Sequence, residues 1–154
     1  NVRSLVGKRN IGPKMPNPIA YKAILRHFFG KDVGKREIFD FDPALGHKAL
    51  AAMALGCKYH YGGFLSAQLV DHCKIDCSRC YFDDPAFDVL MVDNHFHSYN
   101  IRKKIPLIKK SNNAVMFCDN IEMVNHVEKV LGKAERMQIL INDEVKYMVC
   151  VSPK

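Results

Sequence analysis

The sequence of 154 residues has no long apolar segment. No stretch approaches the roughly 20 apolar residues that cross a bilayer, so we expect no membrane span. No secretory signal, internal repeat or low-complexity tract is visible either. Apolar residues make up 48% and charged residues 25% of the chain, which is typical of one globular domain with a single core. We therefore expect an intracellular protein without a membrane partner.

Acidic residues are scarce at the start of the chain. The first 36 residues contain nine Lys or Arg and a single acid, Asp32, and the whole chain has a formal net charge of +7. A second basic cluster consists of Arg102, Lys103, Lys104, Lys109 and Lys110. Such patches attract the phosphates of nucleic acids, so these residues are candidate nucleic-acid contacts. A solubilising surface is the alternative explanation.

The six cysteines do not require disulfides, because the chain is long and apolar enough to fold without them. Cys118 and Cys150 lie in apolar runs, where a free thiol behaves as a small hydrophobic residue. These features indicate a reducing compartment. Three cysteines that follow His72 have a spacing that can hold zinc or three corners of an iron–sulfur cluster, and free thiols are the alternative. The weak candidate metal ligands are Cys73, Cys77 and Cys80.

Strand and helix patterns alternate along the chain, which favours a parallel sheet with helices on both faces. The predicted strands are 37–42, 58–64, 79–82, 87–93, 113–118, 136–141 and 145–151. The predicted helices are 18–29, 47–55, 66–72, 101–110 and 121–131. We expect an irregular basic arm over 1–16. Residues 17–154 should form a single doubly wound, Rossmann-like α/β domain, its mostly parallel sheet ending in an antiparallel hairpin.

Ligands of such sheets bind beyond the carboxyl ends of the strands, where the strand order reverses. The loops after the strands 37–42 and 87–93 are therefore the candidate site. In the first loop, Gly46 lets a ligand approach the backbone, and the helix that follows offers free N–H groups.

Within this region, residues 42–46 read Asp-Pro-Ala-Leu-Gly and residues 54–59 read Ala-Leu-Gly-Cys-Lys-Tyr. The segment 39–62 thereby resembles the N6-adenine and N4-cytosine DNA methyltransferases. That family has Asp-Pro-Phe-x-Gly-x-Gly at the end of a strand and Ala-Leu-Gly-x-Lys-Tyr before the second strand. The resemblance covers about 25 residues and implies a site for S-adenosylmethionine. The cofactor contacts that we expect are Asp40, Asp42, Pro43 and Gly46.

The resemblance also implies a catalytic loop after the strand 87–93. The family has Asp-Pro-Pro-Tyr or a close variant there, which holds the target amino group of a nucleic-acid base. The candidate catalytic residues at this position are Asp93, Asn94, His95 and Phe96. His95 is a possible general base, and Phe96 is placed to stack on a flipped base. An exposed loop histidine and an aromatic residue that fills the mouth of the sheet are the alternatives.

The sequence departs from the family at three points. Both prolines of the catalytic loop are absent, Lys48 replaces the second glycine of the first loop, and residues 61–64 contain no carboxylate for the ribose hydroxyls. Two functions therefore stay open. One is an S-adenosylmethionine-dependent methyltransferase that acts on a base amino group. The other is an inactive domain of that fold, which binds nucleic acid or serves in a larger assembly.

Overall fold

A computed structural model of the protein describes residues 16–40, 43, 46–62, 77–79, 87–92 and 105–153. Within these residues seven strands form one sheet, and helices lie on both of its faces. The helices are α1 (Pro18–Phe29), α2 (His47–Leu55) and α3 (Ile121–Leu131). The strands are β1 (Glu37–Asp40), β2 (Lys58–Tyr61), β3 (Cys77–Arg79), β4 (Phe87–Val92), β5 (Ser111–Cys118), β6 (Glu135–Ile141) and β7 (Glu144–Val151). The predicted fold class is confirmed.

The strand order in the sheet is β3-β2-β1-β4-β5-β7-β6. The first five strands are parallel to one another, and β7 runs antiparallel to both β5 and β6. Asn142 and Asp143 join β6 to β7 with φ angles of 50° and 62°. Two consecutive positive φ angles are typical of the type I′ turn, whose twist matches that of a hairpin. The predicted terminal hairpin is therefore present.

Helix α1 begins and ends where its sequence predicts. The side chain of Asn17 accepts a hydrogen bond of 2.8 Å from the backbone N–H of Ala20, and Pro18 occupies the first turn. Gly30 ends the helix with a φ of 63°. A 3₁₀ helix over Gly30–Lys35 then leads to β1, where the sequence indicated only a loop.

Strand β4 is buried on both faces, as its uninterrupted apolar sequence predicts. Val89 and Met91 belong to the apolar cluster on the face that α1 and α2 cover. Leu90 and Val92 belong to the cluster on the opposite face, which α3 and a helical turn at 105–108 cover. The strand thus lies at the centre of the core.

Some predicted element boundaries differ from the structure. β3 spans Cys77–Arg79 rather than 79–82, and the predicted helix 66–72 lies outside the described residues. In the predicted helix 101–110, residues 105–108 are helical and the chain turns at 109 and 110. The hydroxyl of Ser111 donates a 2.6 Å hydrogen bond to the carbonyl of Ile108, which accommodates this early end of the helix. Residues 1–15 of the predicted arm also lie outside the described part.

No helix in the described part of the chain is both long and apolar enough to cross a bilayer.

Candidate cofactor and active site

The two loops that the sequence singles out begin next to each other. β1 and β4 are parallel neighbours, with Asp40 opposite Met91. The chain places β2 and β3 on one side of β1 and then returns to place β4 on the other side, so the strand order reverses between β1 and β4. In open α/β sheets this crevice at the carboxyl edge binds the ligand. The strands that precede Asp42 and Asp93 therefore end at one common site.

The turn between β1 and α2 allows a ligand to approach its backbone closely. The N–H of Gly46 donates a 2.7 Å hydrogen bond to the carbonyl of Pro43, and both residues are buried. Gly46 has a φ of 76°, a conformation that costs glycine little. Among the described residues no side chain caps α2 at this end. Helix N-termini with N–H groups of this kind attract anionic groups.

A buried polar cluster lies directly beneath this turn. The ammonium of Lys48, in the first turn of α2, is 2.8 Å from one carboxylate oxygen of Asp40. The hydroxyl of Tyr59 donates a 2.6 Å hydrogen bond to the other oxygen. The side chains of Asp40 and Lys48 are only 0% and 2% exposed. The cluster therefore ties the end of β1 to α2 and β2 inside the core.

The position of Lys48 explains how the protein accommodates a lysine where the family has the second glycine of its first loop. Its side chain pairs with Asp40 under the helix, so the larger residue is accommodated within the core. Two neighbours that would obstruct a cofactor are also held by other contacts. Nδ1 of His47 lies 3.2 Å from the carbonyl oxygen of Pro16, and Tyr61 packs against the apolar cluster that α1 and α2 cover.

The end of β2 lacks the carboxylate that the family places there. Tyr61 is partly buried, and the N–H of Gly62 donates a 2.9 Å hydrogen bond to the backbone carbonyl of Asp40. This bond fixes the chain where it leaves the sheet, but neither residue has an acidic side chain for the ribose hydroxyls.

The structure describes only some of the predicted site residues. Asp40, Pro43 and Gly46 lie together at the carboxyl end of β1. Lys109 and Lys110 are exposed and immediately precede β5, so they lie at the opposite, amino edge of the sheet. The predicted site residues outside the described part are Asp42, Asp93, Asn94, His95, Phe96, Arg102, Lys103, Lys104, Cys73 and Cys80.

The third candidate metal ligand, Cys77, lies on β3, partly buried against the core. Among the described residues, no three His, Cys, Asp or Glu side chains are grouped so that they could hold a metal ion. The zinc hypothesis depends on Cys73 and Cys80 and stays a prediction.

The described cysteines are free thiols, and two of them should be inert at neutral pH. Burial raises the pKa of Cys118 to about 12 and that of Cys150 to about 11. Because only the unfolded chain ionises Cys118 above its ordinary pKa of 9.0, the free energy of unfolding should fall by about 1.4 kcal/mol per pH unit between pH 9 and pH 12 through this thiol. Urea denaturation across this range should show a shallower decline for Cys118→Ala. Equal slopes for both proteins would contradict the assignment.

Sequence reasoning missed two members of the buried cluster, Lys48 and Tyr59. Residues 47–55 contain one lysine among mainly apolar residues, and three of its apolar neighbours are buried: Ala49, Ala51 and Ala52. A lone charge on a helix of this kind, close to an acid at the end of a strand, indicates a buried ion pair. That signal was present in the sequence.

No protein-family profile and no curated protein sequence matches the chain. Solved structures do. The N-terminal domain of human METTL16 in complex with SAH is 10% identical, with a TM-score of 0.69 over 94% of this chain and 73% of that one. A human methyltransferase 10 domain containing protein is also 10% identical, with a TM-score of 0.69 over 94% and 86% of the two chains. The putative methyltransferase yhhF from Escherichia coli is 11% identical, with a TM-score of 0.62 over 92% and 90%. The protein therefore has the fold of the S-adenosylmethionine-dependent methyltransferases.

Proposed function

We propose that the protein is an S-adenosylmethionine-dependent methyltransferase that acts on an exocyclic amino group of a nucleic-acid base. One observation carries the proposal: the glycine turn at Gly46 lies at the carboxyl end of β1, beside the end of β4, with no side chain of the described residues capping the helix that follows. Structural neighbours of the chain are methyltransferases, and one was crystallised with SAH.

The described residues fit the cofactor at its amino-acid end. The N-terminus of α2 has a positive partial charge that suits the cofactor's carboxylate. Because Lys48 is paired with Asp40, the cluster beneath the turn has no net charge and does not repel the sulfonium cation. Asp42 and Gly46 would position the cofactor, while the ribose hydroxyls must find partners other than a carboxylate at Tyr61 or Gly62.

The cofactor would supply an activated methyl group. The nitrogen of the base would accept this methyl group from the sulfonium and release one proton to solvent. Asp93 and the neighbouring backbone would orient the amine, and Phe96 would stack on the base. Since the methyl group is already activated, alignment of the two reactants is the main contribution of the protein.

The basic arm supports a nucleic-acid substrate. Residues 1–15 contain four Lys or Arg and no acid, and the arm meets the domain at Pro16, whose carbonyl contacts His47 at the start of α2. The basic segment thus joins the fold at the edge where the cofactor would bind. Nucleic acids attract such segments through their phosphates.

Replacing the four basic residues of the arm with glutamine is expected to weaken binding of an RNA or DNA oligonucleotide. The variant changes Arg3, Lys8, Arg9 and Lys14. The slope of log affinity against log salt should decrease by up to about 3, or about 0.7 for each lost contact with a single strand. Affinity for S-adenosylmethionine should not change. An unaltered salt slope would show that the arm does not contact the nucleic acid.

The activity itself is tested by transfer of labelled methyl from S-adenosylmethionine to pools of single-stranded DNA and RNA. Nuclease digestion and mass spectrometry should identify a methylated amino group on adenine or cytosine, and Asp93→Ala should abolish it. If the protein binds nucleic acid but transfers no methyl to either pool, the inactive binding domain is the correct alternative. The absent prolines of the catalytic loop favour that alternative.

A further inference from the structure

A cleft lies at the amino edge of the sheet, opposite the proposed cofactor site. It has a volume of about 590 Å³ and is lined by the ends of α1 and α2 and by the 3₁₀ helix between α1 and β1. This volume is within the range of small-ligand pockets. A methyl group on Gly34 would approach the carbonyl oxygen of Leu55 to 2.7 Å, so the two backbones that form the floor are in close contact.

The charged side chains that line the cleft are Arg26 and Lys31, both exposed. The described acids of this edge lie in other contacts. Asp32 pairs with Lys35, Asp88 with Arg36 and Glu37 with Lys58, and Glu135 lies 3.4 Å from Nε2 of His27. The described residues that line the cleft itself therefore include no acid for Arg26 or Lys31.

The partial charges of the helix ends do not neutralise the two cations of the cleft. The carboxyl ends of α1 and α2 both reach the cleft, and each has a partial charge of about −0.5. Together they balance about one of the two positive charges. The N–H of Gly30 also satisfies the carbonyl of Arg26 at the end of α1. The cleft thus keeps an excess of positive charge and favours an anion.

A row of cations leads into the cleft from the side of α1. This helix has no acidic residue, and Lys22 precedes Arg26 by four positions, a rise of about 6 Å. Residues four apart lie on one side of a helix. A linear series of cations matches the successive phosphates of a polynucleotide better than it matches one small anion.

We propose that the cleft binds a phosphate of single-stranded nucleic acid, with Lys22 contacting the neighbouring part of the strand. The proposal rests on the nucleic-acid substrate of the proposed function and adds a second contact surface away from the reacting base. A single strand is the form in which a base amino group is accessible to an enzyme without unpairing. Lys109 and Lys110 lie along the same edge of the sheet, at the start of β5.

Binding of a fluorescent 20-nucleotide single strand to the full chain, followed by anisotropy, tests the site. The variant Arg26→Glu/Lys31→Glu should weaken binding about tenfold or more at moderate salt. The variant Arg26→Gln/Lys31→Gln should decrease the salt slope by about 1.4, or about 0.7 for each phosphate contact. The control, Lys129→Glu/Lys133→Glu, makes the same change in net charge at exposed positions near the end of α3, on the other face of the sheet. It should retain most of the affinity.

Equal weakening by the cleft variant and the control would overturn the proposal, because net charge alone would then explain the effect. An unchanged affinity in the cleft variant would overturn it too. Inorganic phosphate and a mononucleotide serve as competitors, and binding of either as tightly as the oligonucleotide would identify a small-anion site instead. If the unaltered protein binds no oligonucleotide, both this proposal and the proposed nucleic-acid substrate fail. The proposed cofactor site is not affected by that result, because cofactor binding is measured in a separate titration.

Discussion

Replacing Lys48 with methionine is expected to lower the free energy of unfolding by about 3–5 kcal/mol, the cost of removing one partner of a buried ion pair. Methionine fills a similar volume but leaves the carboxylate of Asp40 in the core, where its side chain is 0% exposed. The hydroxyl of Tyr59 would remain as a donor to that carboxylate, yet a neutral hydrogen bond does not replace the lost cation. Urea denaturation followed by circular dichroism measures the change.

Two further variants show whether the ion pair is responsible. Lys58→Met removes an exposed pair with Glu37, at 3.3 Å, and should cost less than about 1 kcal/mol. The triple variant Asp40→Leu/Lys48→Met/Tyr59→Phe replaces both charges and the hydroxyl bound to Asp40 with apolar groups, and it should recover most of the loss. If Lys48→Met costs no more than Lys58→Met, then Lys48 does not form the buried pair.

Replacing Gly46 with alanine is expected to weaken the binding of S-adenosylmethionine about tenfold or more, the equivalent of about 1.4 kcal/mol. Alanine at a φ of 76° is strained by about 1–2 kcal/mol. The turn can relieve this strain by changing its φ, and the N–H groups at the start of α2 would then lose their alignment with the cofactor. Calorimetric titration gives the affinity, and thermal unfolding gives the loss of stability.

Gly56→Ala provides the matched control. Gly56 follows α2 with a φ of 76° and a ψ of 16°, close to the 76° and 13° of Gly46, and a methyl group there meets no atom within 4 Å. The substitution introduces comparable backbone strain at the amino edge of the sheet, away from the proposed cofactor site. It should lower stability by a similar amount and leave the cofactor affinity unchanged. An equal loss of affinity in both variants would show that general destabilisation is the cause and that Gly46 is not part of the site.

Local signals in the sequence were sufficient for much of the fold. Asn17 and Gly30 delimit α1 because one caps the helix and the other ends it. The apolar run at 87–92 identified the central strand, because burial on both faces leaves no polar alternation. The 3₁₀ helix at Gly30–Lys35 was not predicted. Its lysines, aspartate and glycines resemble the composition of an ordinary loop.

The candidate site was predictable only in its position. The register of β1 and β4 brings together the strands that precede Asp42 and Asp93, as alternation of strands and helices implies. The role of Lys48 was not predicted, because comparison with the family motif shows only that a lysine replaces the second glycine. The lone lysine of a mainly apolar helix indicates a buried partner, but the identity of that partner, Asp40, depends on the packing of α2 against β1, which is a tertiary contact.

The most direct test of the proposed cofactor site is calorimetric titration of the purified, folded protein with S-adenosylmethionine and with its demethylated product. The site at Gly46 predicts micromolar binding that is lost on replacing Asp42 or Gly46. No detectable heat at several temperatures, for protein shown to be folded, would contradict it and leave a basic domain that binds nucleic acid without this cofactor.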